Sequence, residues 1–321
     1  MTESARPILF IAGNRLGDAV LASGVLARLM EERPEARVTI ACGALPAPLF
    51  ADVPRLDRII AMRRRGMGRH WMALWAQTAG HRWDTVADMR GSIFGWTVWA
   101  RRRWVSHAEY RHEHRIEEIA RQFGLDPVPA PKLWISPERS GRVADQLGGD
   151  TPILAIAPTS NWGGKQWPAE RFAETVRRLT APGGKLAGAR VLVSASANER
   201  PAAQPVLDAI PVAQRIDWIG MPDLLDLAAV FARCRLFIGN DSGLMHLAAA
   251  SGAPTLGLFG PSREWRYRPW GEKAAFVRTP ESHEALTTED PSFKFASHDT
   301  RMGSLTIDAV VEAAEALLAR T

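Results

Sequence analysis

The sequence predicts an α/β protein made of two doubly wound, Rossmann-like domains that face a central cleft. Its length of 321 residues fits about two domains. Short apolar runs alternate with helical patterns along the chain, and repeated βαβ order implies parallel sheets with helices on both faces. A proline-rich segment, D-P-V-P-A-P at 126–131, divides the series in two. We therefore expect domains at 1–150 and 151–321.

The first domain is predicted from apolar runs and one helical repeat. Four runs have the length of buried strands, at 7–12, 37–41, 58–62 and 84–88. Leu21, Val25 and Leu29 recur every fourth residue, which predicts a helix over 19–33.

The second domain repeats the alternation of strands and helices. Strands are predicted at 153–157, 191–195, 236–239 and 255–259, and helices at 169–180, near 222–233, at 243–251 and at 305–320. The last helix is one that can also pack back on the first domain. Ligands of such sheets bind outside the carboxyl ends of the strands, so functional residues should follow strands directly.

Composition excludes several classes of protein. Apolar residues make up 46% and charged residues 23%, a globular balance that excludes a disordered chain. Two cysteines, Cys42 and Cys234, allow neither a disulfide framework nor a four-cysteine metal site, and they indicate a reducing compartment. The longest uncharged stretch, 242–261, contains a histidine, a proline and several glycines, so it predicts no spanning helix. No secretory signal is visible, and we expect a cytoplasmic protein.

Positive charge is concentrated in the first domain. Residues 55–115 hold 13 arginines, no lysine and five acids, a net charge of +8 in a chain of +5. Six of the 12 tryptophans lie between Trp71 and Trp104. Arginine with tryptophan suits phosphate groups, anionic lipid headgroups or nucleic acid. The alternative is a solvated helix face with core tryptophans.

The turn after the first strand, G-N-R-L-G-D at 13–18, is the first candidate site. Gly13 and Gly17 let the backbone turn tightly and leave room for a ligand. The pattern is neither a dinucleotide fingerprint nor a P-loop. Asp18 stands where the helix begins, as a carboxylate favoured by the helix dipole or as a base that accepts a proton from a hydroxyl. Arg15 is a candidate contact for an anionic group.

A second cluster, A-P-T-S-N-W-G-G-K-Q-W-P at 157–168, begins where a predicted strand ends. Thr159 and Ser160 supply hydroxyls, the paired glycines permit close approach, and Lys165 supplies a mobile cation. This combination suits a diphosphate, with an ordinary polar turn as the alternative. Two tryptophans of the motif either line a sugar or cover the loop, Trp162 and Trp167.

A third cluster, at 239–254, again reads as strand, turn and helix. Asp241, Ser242 and Gly243 open a helix whose free amides can bind phosphate, although a buried cap explains the first two equally well. His246 follows on the same helix, as a ligand contact or as a core histidine.

One more acid follows a predicted strand. Glu199, in S-A-S-A-N-E-R at 194–200, is placed to bridge ribose hydroxyls, as acids after Rossmann-type strands do. The alternative is an acid in the first turn of a helix.

Three motifs together resemble glycosyltransferase family 9, the ADP-heptose:lipopolysaccharide heptosyltransferases of Gram-negative bacteria. They are R-L-G-D (15–18), N-W-G-G-K-Q-W-P-A-E-R-F (161–172) and N-D-S-G-L-M-H-L-A-A-A-S-G-A-P-T-L-G-L-F-G-P (240–261). The match is colinear over nearly the whole chain, and the third motif is the most specific. The resemblance implies a GT-B fold, with an acceptor site on domain 1–150 and a nucleotide-sugar site on domain 151–321. It also implies inverting transfer without a metal or other cofactor, and the sequence contains no D-x-D.

The resemblance assigns roles to individual residues. Asp18 matches the family's proposed catalytic base, and Glu199 resembles the acid that holds the nucleoside ribose. The phosphate-binding lysine and the hydroxyl pair before it correspond to Lys165, Thr159 and Ser160. The diphosphate-binding helix start corresponds to Asp241, Ser242, Gly243 and His246, and the family often has threonine where Ser242 stands. The Arg/Trp-rich stretch 62–104 resembles no single acceptor subgroup.

Three functional hypotheses follow. The first is an inverting glycosyltransferase that moves heptose, favoured as ADP-heptose, to a lipopolysaccharide-core-type glycolipid, with its Arg-rich domain in peripheral contact with inner-membrane headgroups. The second is a family relative with a different donor, or with a protein or small-glycan acceptor. The third is a non-catalytic module that binds nucleotide sugars or nucleic acid. No nucleic-acid motif is recognised, so we expect no nucleic-acid partner.

Overall fold

The computed structural model describes residues 7–63, 68–107, 109, 111–220, 223–290 and 299–321. The chain forms two compact units, Met1–Ser136 and Pro137–Thr321. The expected boundary at 150 therefore lies too late, because helix α4 (Pro137–Leu147) belongs to the second unit. Arg139 on α4 donates to Asp226 on helix α7 (Leu224–Phe231) over 2.5 Å, which ties α4 to that unit.

The first unit is a five-stranded parallel sheet in the order β3-β2-β1-β4-β5. Its strands are β1 (Ile8–Ile11), β2 (Val38–Gly43), β3 (Leu56–Met62), β4 (Trp83–Asp88) and β5 (Ala100–Val105). Its helices are α1 (Leu16–Glu32), α2 (Arg69–Thr78) and α3 (Arg115–Gln122). The central strand β1 is entirely buried, as its apolar sequence predicts.

The second unit is a six-stranded parallel sheet in the order β11-β10-β9-β6-β7-β8. Its strands are β6 (Ile153–Ala157), β7 (Arg190–Ala195), β8 (Arg215–Ile219), β9 (Leu236–Asn240), β10 (Thr255–Phe259) and β11 (Ala274–Arg278). With α4 and α7, its helices are α5 (Ala169–Thr180), α6 (Arg200–Asp208), α8 (Gly243–Ala250), α9 (Glu264–Tyr267) and α10 (Ile307–Arg320). The predicted fold class, two doubly wound parallel α/β domains, is confirmed.

The two sheets share one winding rule. In each, the first strand of the unit lies in the centre, the next two extend to one side and the later strands extend to the other. The strand order therefore reverses between β1 and β4 in the first unit, and between β6 and β9 in the second. Ligands of doubly wound sheets bind at such reversal points, outside the carboxyl ends of the strands.

Helix α10 packs on the second sheet. Its apolar stripe of Val310, Ala314 and Leu317 is buried in the core of the second unit, together with Leu256 and Leu258 of β10. The spacing i, i+4, i+7 places these side chains on one face of the helix, so the sheet covers that whole face.

The missed strands lie at the edges of the sheets. β5, β8 and β11 each have a neighbour on one side only, and each carries arginine. Edge strands tolerate charge because they face solvent, so they lack the apolar run by which a buried strand is recognised.

Two features concern the cysteines and the lengths of the helices. Cys42 and Cys234 are buried free thiols, and burial raises the pKa of each to about 12. The longest helix of the described ranges, α1, has 17 residues. Over the same ranges, no helix combines the length and the apolarity that crossing a membrane requires.

The proline-rich segment is bound to the first unit. The amide of Lys132 donates to Ser23 Oγ on α1 over 2.9 Å, and the amide of Ser136 donates to Asp52 Oδ2 over 2.9 Å. A Cβ on Gly24 would lie 2.4 Å from the carbonyl oxygen of Ala130, so only glycine permits this approach. The expected connector 126–150 is thus an extended strap to residue 136, followed by helix α4.

We expect Gly24→Ala to destabilise the first unit by about 1–3 kcal/mol, because the added methyl group meets backbone that cannot move aside cheaply. The matched control is Gly141→Ala inside α4, where the methyl group enters open space and should stabilise by about 0.5–1 kcal/mol. Urea unfolding followed by circular dichroism measures both. Equal midpoints for the two variants would contradict the close approach.

Candidate functional site

The strand order of the second sheet reverses between β6 and β9, and this point brings two of the predicted motifs together. The loop after β6 carries Lys165, and the loop after the neighbouring strand β9 carries Asp241. Lys165 Nζ lies 2.5 Å from Asp241 Oδ2, although 76 residues separate them. The Asp241 side chain is 6% exposed and that of Lys165 is 24% exposed. The contact therefore lies below the surface of the unit, at the sheet edge where ligands of this fold bind.

This ion pair sets the electrostatics of the site. A carboxylate buried as deeply as that of Asp241 requires a charged or hydrogen-bonding partner, which Lys165 supplies. An ammonium group carries three N–H donors, so one contact does not exhaust its capacity for anionic oxygens. Lys165 is thus held in place while it retains the chemistry needed to bind phosphate.

A buried asparagine fixes the lysine-bearing loop, and the sequence analysis did not assign it. Asn240, the last residue of β9, accepts from the amide of Trp167 over 3.0 Å and donates to the carbonyl of Pro158 over 2.8 Å. Both partners flank Lys165 in the loop after β6. The available signal was a polar residue that ends an otherwise apolar strand, L-F-I-G-N.

The loop after β7 carries the predicted acid, Glu199. Glu199 Oε2 accepts from the hydroxyl of Thr159 over 3.1 Å, and from the amide and hydroxyl of Ser196 over 3.0 and 2.5 Å. Elsewhere in the described part of the chain, nothing donates to Oε1 of Glu199, which can accept hydroxyls from a ligand. The loops after β6, β7 and β9 thus bring their predicted residues to one sheet edge.

Among the described residues, no side chain caps the N-terminus of α8. Ser242 is the N-cap residue, but its side chain caps no amide, and its buried Oγ has no hydrogen-bond partner in the described ranges. Asp241 pairs with Lys165 and is not a cap either. Gly243 begins the helix and His246 lies buried on it. The first amides of α8 are therefore not occupied by a side-chain cap, which keeps the phosphate-binding interpretation open.

The two tryptophans of the second motif have different places. Trp167 is buried, donates from Nε1 to the carbonyl of Leu305 over 3.0 Å and packs edge-on against Phe172, so it is a core residue. Trp162 is half-buried and lies over Gly164, where a Cβ would come within 2.5 Å of its ring. Of the two, Trp162 is the one placed on the loop itself. Ser160 braces that loop by donating to the carbonyl of Trp162 over 2.7 Å.

The predicted base lies in the first unit. Asp18 is exposed in the first turn of α1, after β1, at the strand reversal of that sheet. A Cβ on Gly13 would lie 2.7 Å from Asp18 Cβ, so glycine is required for this turn. Arg15 is exposed at the N-cap of α1, and Gly17 is the second residue of the helix. The Asp18 side chain is exposed, and its role as a base stays a prediction.

An arginine at the neighbouring strand end was also missed. Arg90 follows β4, whose last residue, Asp88, pairs in register with Ile11 of β1. The Arg90 guanidinium lies 4.5 Å from the ring centre of Trp71, and its buried Nη1 has no hydrogen bond with any residue in the described ranges. Burial lowers the pKa of Arg90, and the charge of Asp88 opposes that effect. A half-buried guanidinium with a free donor suits an anionic oxygen. The signal was a basic residue two positions after a predicted strand.

Acidic, histidine and cysteine side chains are the usual protein ligands of metal ions. Within the residues that the structure describes, no three of them cluster in a way that could hold a metal ion.

Two doubly wound parallel α/β units of this strand order are the architecture of the GT-B fold. The family described as glycosyltransferase family 9 (heptosyltransferase) matches residues 71–294. The chain belongs to this family, and it is a glycosyltransferase.

Individual relatives agree with the family over most of the chain. The lipopolysaccharide heptosyltransferase 2 of Escherichia coli is 25% identical over 314 residues, which cover 84% of this chain and 87% of that protein. The crystal structure of a family 9 glycosyl transferase from Veillonella parvula has a TM-score of 0.78 at 22% identity and covers 100% of this chain and 99% of its own. The structure titled E. coli ADP-heptose lps heptosyltransferase II has a TM-score of 0.75 at 21% identity and covers 98% and 99%.

We expect Asn240→Ala to lower the free energy of unfolding by about 1–3 kcal/mol, because it leaves a buried amide and a buried carbonyl without partners. Asn198→Ala is the matched control, since Asn198 is exposed and, among the described residues, accepts only from the hydroxyl of Ser196. Urea unfolding compares the two variants. An Asn240→Ala midpoint equal to that of the control would show that this residue does not hold the loop.

Proposed function

We propose that the protein is an inverting, metal-independent glycosyltransferase that moves heptose from ADP-heptose to a lipopolysaccharide-core-type glycolipid. The observation that carries this proposal is the placement of Lys165 beside the uncapped start of α8. Family membership supports sugar transfer. The names of the E. coli relatives, a lipopolysaccharide heptosyltransferase and an ADP-heptose lps heptosyltransferase, support the sugar, the donor and the acceptor.

The second unit would hold the donor. Lys165 and the first amides of α8 bind the diphosphate, because an ammonium and a helix N-terminus both favour negative charge. Thr159 and Ser160 contribute their hydroxyls, and Glu199 accepts from the ribose through Oε1. We assign the other diphosphate contacts to Asp241, Ser242, Gly243 and His246.

The first unit would hold the acceptor and the base. Asp18 accepts the proton of the attacking acceptor hydroxyl, whose oxygen forms a bond to the anomeric carbon on the face opposite the diphosphate. The bond between that carbon and the diphosphate oxygen breaks, so the configuration inverts and the electron pair leaves with ADP. Gly13 and Gly17 leave room for the acceptor, while Arg15 and Arg90 offer contacts for its anionic groups.

Charge stabilisation replaces the metal in this mechanism. The leaving diphosphate gains negative charge as the sugar departs, and Lys165 and the dipole of α8 stabilise that charge. An ionised aspartate is a weak base, so positioning and leaving-group stabilisation supply much of the rate. The exposed arginines of the first unit meet inner-membrane headgroups in a peripheral, cytoplasmic setting, and nucleic acid is not a partner.

Donor binding tests the proposal directly. We expect ADP to bind more tightly than GDP or UDP by calorimetry. The double variant Lys165→Met with Asp241→Asn should weaken ADP binding roughly tenfold to a hundredfold, the effect of removing charge-assisted hydrogen bonds. Replacing both partners leaves no buried carboxylate unpaired. Lys185→Met, at an exposed lysine of the same unit, is the control. Unchanged ADP affinity in the double variant rejects the diphosphate site, and a preference for GDP or UDP rejects the ADP donor.

Asp18→Asn tests the base. We expect the turnover of sugar transfer to fall about a hundredfold to ten-thousandfold, the usual contribution of a general base, with ADP affinity unchanged. Glu31→Gln replaces another exposed acid of α1 and should leave turnover as in the wild type. Turnover within a few-fold of wild type for Asp18→Asn would exclude this carboxylate as the base.

A further inference from the structure

We propose that the first unit inserts an exposed apolar surface into an anionic lipid bilayer. This surface, here termed the aromatic face, consists of Met72 and Trp75 of α2 and Ile93, Trp96 and Trp99 of the segment after β4. Ile93 is 82% exposed and Trp96 is 65% exposed. Large apolar side chains exposed together mark an interaction site, whereas single ones do not.

The five side chains form one surface because α2 and the segment after β4 are in contact. Trp75 Nε1 donates to the carbonyl of Thr97 over 3.3 Å, and the rings of Trp71 and Phe94 stack 5.5 Å apart. Ile93 and Trp96 begin and end a single 3₁₀ turn, in which residues three apart project on the same side.

The inner side of the same two segments is ordinary core. Leu74 of α2 and Phe94 and Val98 of the segment after β4 are buried in one cluster with residues of β1, β3 and β4. A 3₁₀ turn thus replaces the usual helix between β4 and β5. The segment covers the sheet on one side and exposes isoleucine and tryptophan on the other. The sequence left open whether the tryptophans of this stretch lie on the surface or in the core. Both occur, since Trp83 is in the core and Trp75, Trp96 and Trp99 are exposed.

The segment that carries the aromatic face has a positive net charge. Over residues 68–105 the sequence has six arginines and two acids, Asp84 and Asp88, and both acids are buried. The guanidinium of Arg82 lies 5.8 Å from the ring centre of Trp99, and that of Arg103 lies 6.0 Å from the ring centre of Trp96. Two more arginines of the predicted Arg-rich stretch, Arg64 and Arg65, lie outside the described residues.

This combination fits a bilayer in particular. Tryptophan favours the headgroup level, where its ring is partly apolar and its N–H is hydrated. Isoleucine and methionine gain by entering the acyl region, and arginines beside them attract anionic phosphate. A nucleic acid would use the arginines but would gain little from the exposed aliphatic side chains. A second protein copy would have to offer acidic charge to the same surface.

The aromatic face is joined to the carboxyl ends of β1 and β4, here termed the acceptor edge because the proposed acceptor site lies there. The segment that carries Ile93 leaves the carboxyl end of β4, and the amide of Met89 there donates to the carbonyl of Ile11 over 2.9 Å. Ile11 ends β1, and the turn to Asp18 follows it. Insertion would therefore bring this edge of the first sheet to the lipid surface. This inference rests on the proposed function in taking the acceptor as lipid-borne and the first unit as the part that meets headgroups.

Vesicle flotation of the full chain tests the proposal. We expect wild type to float with phosphatidylethanolamine vesicles containing about a quarter phosphatidylglycerol, and much less with phosphatidylcholine vesicles. Ile93→Ser with Trp96→Ser should weaken that partition at least about tenfold, because both side chains lose apolar burial. Val212→Ser is the control, since Val212 is 81% exposed on the second unit. Partition unchanged in the double variant overturns insertion.

Charge variants test the second component. Arg82→Gln with Arg102→Gln should reduce partition onto anionic vesicles roughly tenfold or more. Lys185→Gln with Arg233→Gln removes the same charge from exposed positions of the second unit and should have little effect. A wild-type dimer in sedimentation velocity that Ile93→Ser with Trp96→Ser dissociates would assign the aromatic face to a second copy and overturn the proposal. ADP binding by these variants, measured without vesicles, should equal that of wild type, so failure of the membrane contact and failure of the donor site are distinguished.

Discussion

The contact between Lys165 and Asp241 is the interaction on which the second unit's site depends. It joins the loops that follow two neighbouring strands, at the point where the winding of the sheet reverses. The pair satisfies a buried carboxylate and holds an ammonium group at the sheet edge. Without it, the loop after β6 would lose its electrostatic anchor, and the start of α8 would lose the cation that stands beside it.

Further hydrogen bonds fix the loops around this ion pair. Asn240 joins β9 to both sides of the lysine-bearing loop, and Glu199 joins Thr159 to the loop after β7. Three adjacent strand ends are therefore linked by polar side chains that are nearly all buried or half-buried. Preorganised groups of this kind stabilise developing charge without reorganising during the reaction, which is what leaving-group stabilisation requires.

The two units share one rule of strand order but carry different side chains at the point where that order reverses. Both sheets place candidate site residues at the reversal of strand order, but the first unit presents an exposed carboxylate and a half-buried arginine, whereas the second presents a lysine and a helix start. The first unit also departs from an even helical covering, because a 3₁₀ turn stands where a crossover helix is usual. That departure exposes the aromatic face beside the carboxyl ends of β4 and β1.

The sequence by itself determined the buried strands, the motifs and the family. Strands 153–157 and 255–259 and helix 169–180 have the predicted bounds, because buried strands and amphipathic helices carry their periodicity locally. The tertiary structure alone decided the edge strands, the division before α4, the core position of Trp167 and the exposure of Trp96. It also decided that Lys165 meets Asp241 and that Asn240 holds the loop that carries Lys165. Each of these depends on which distant segments become neighbours, and no local pattern contains that information.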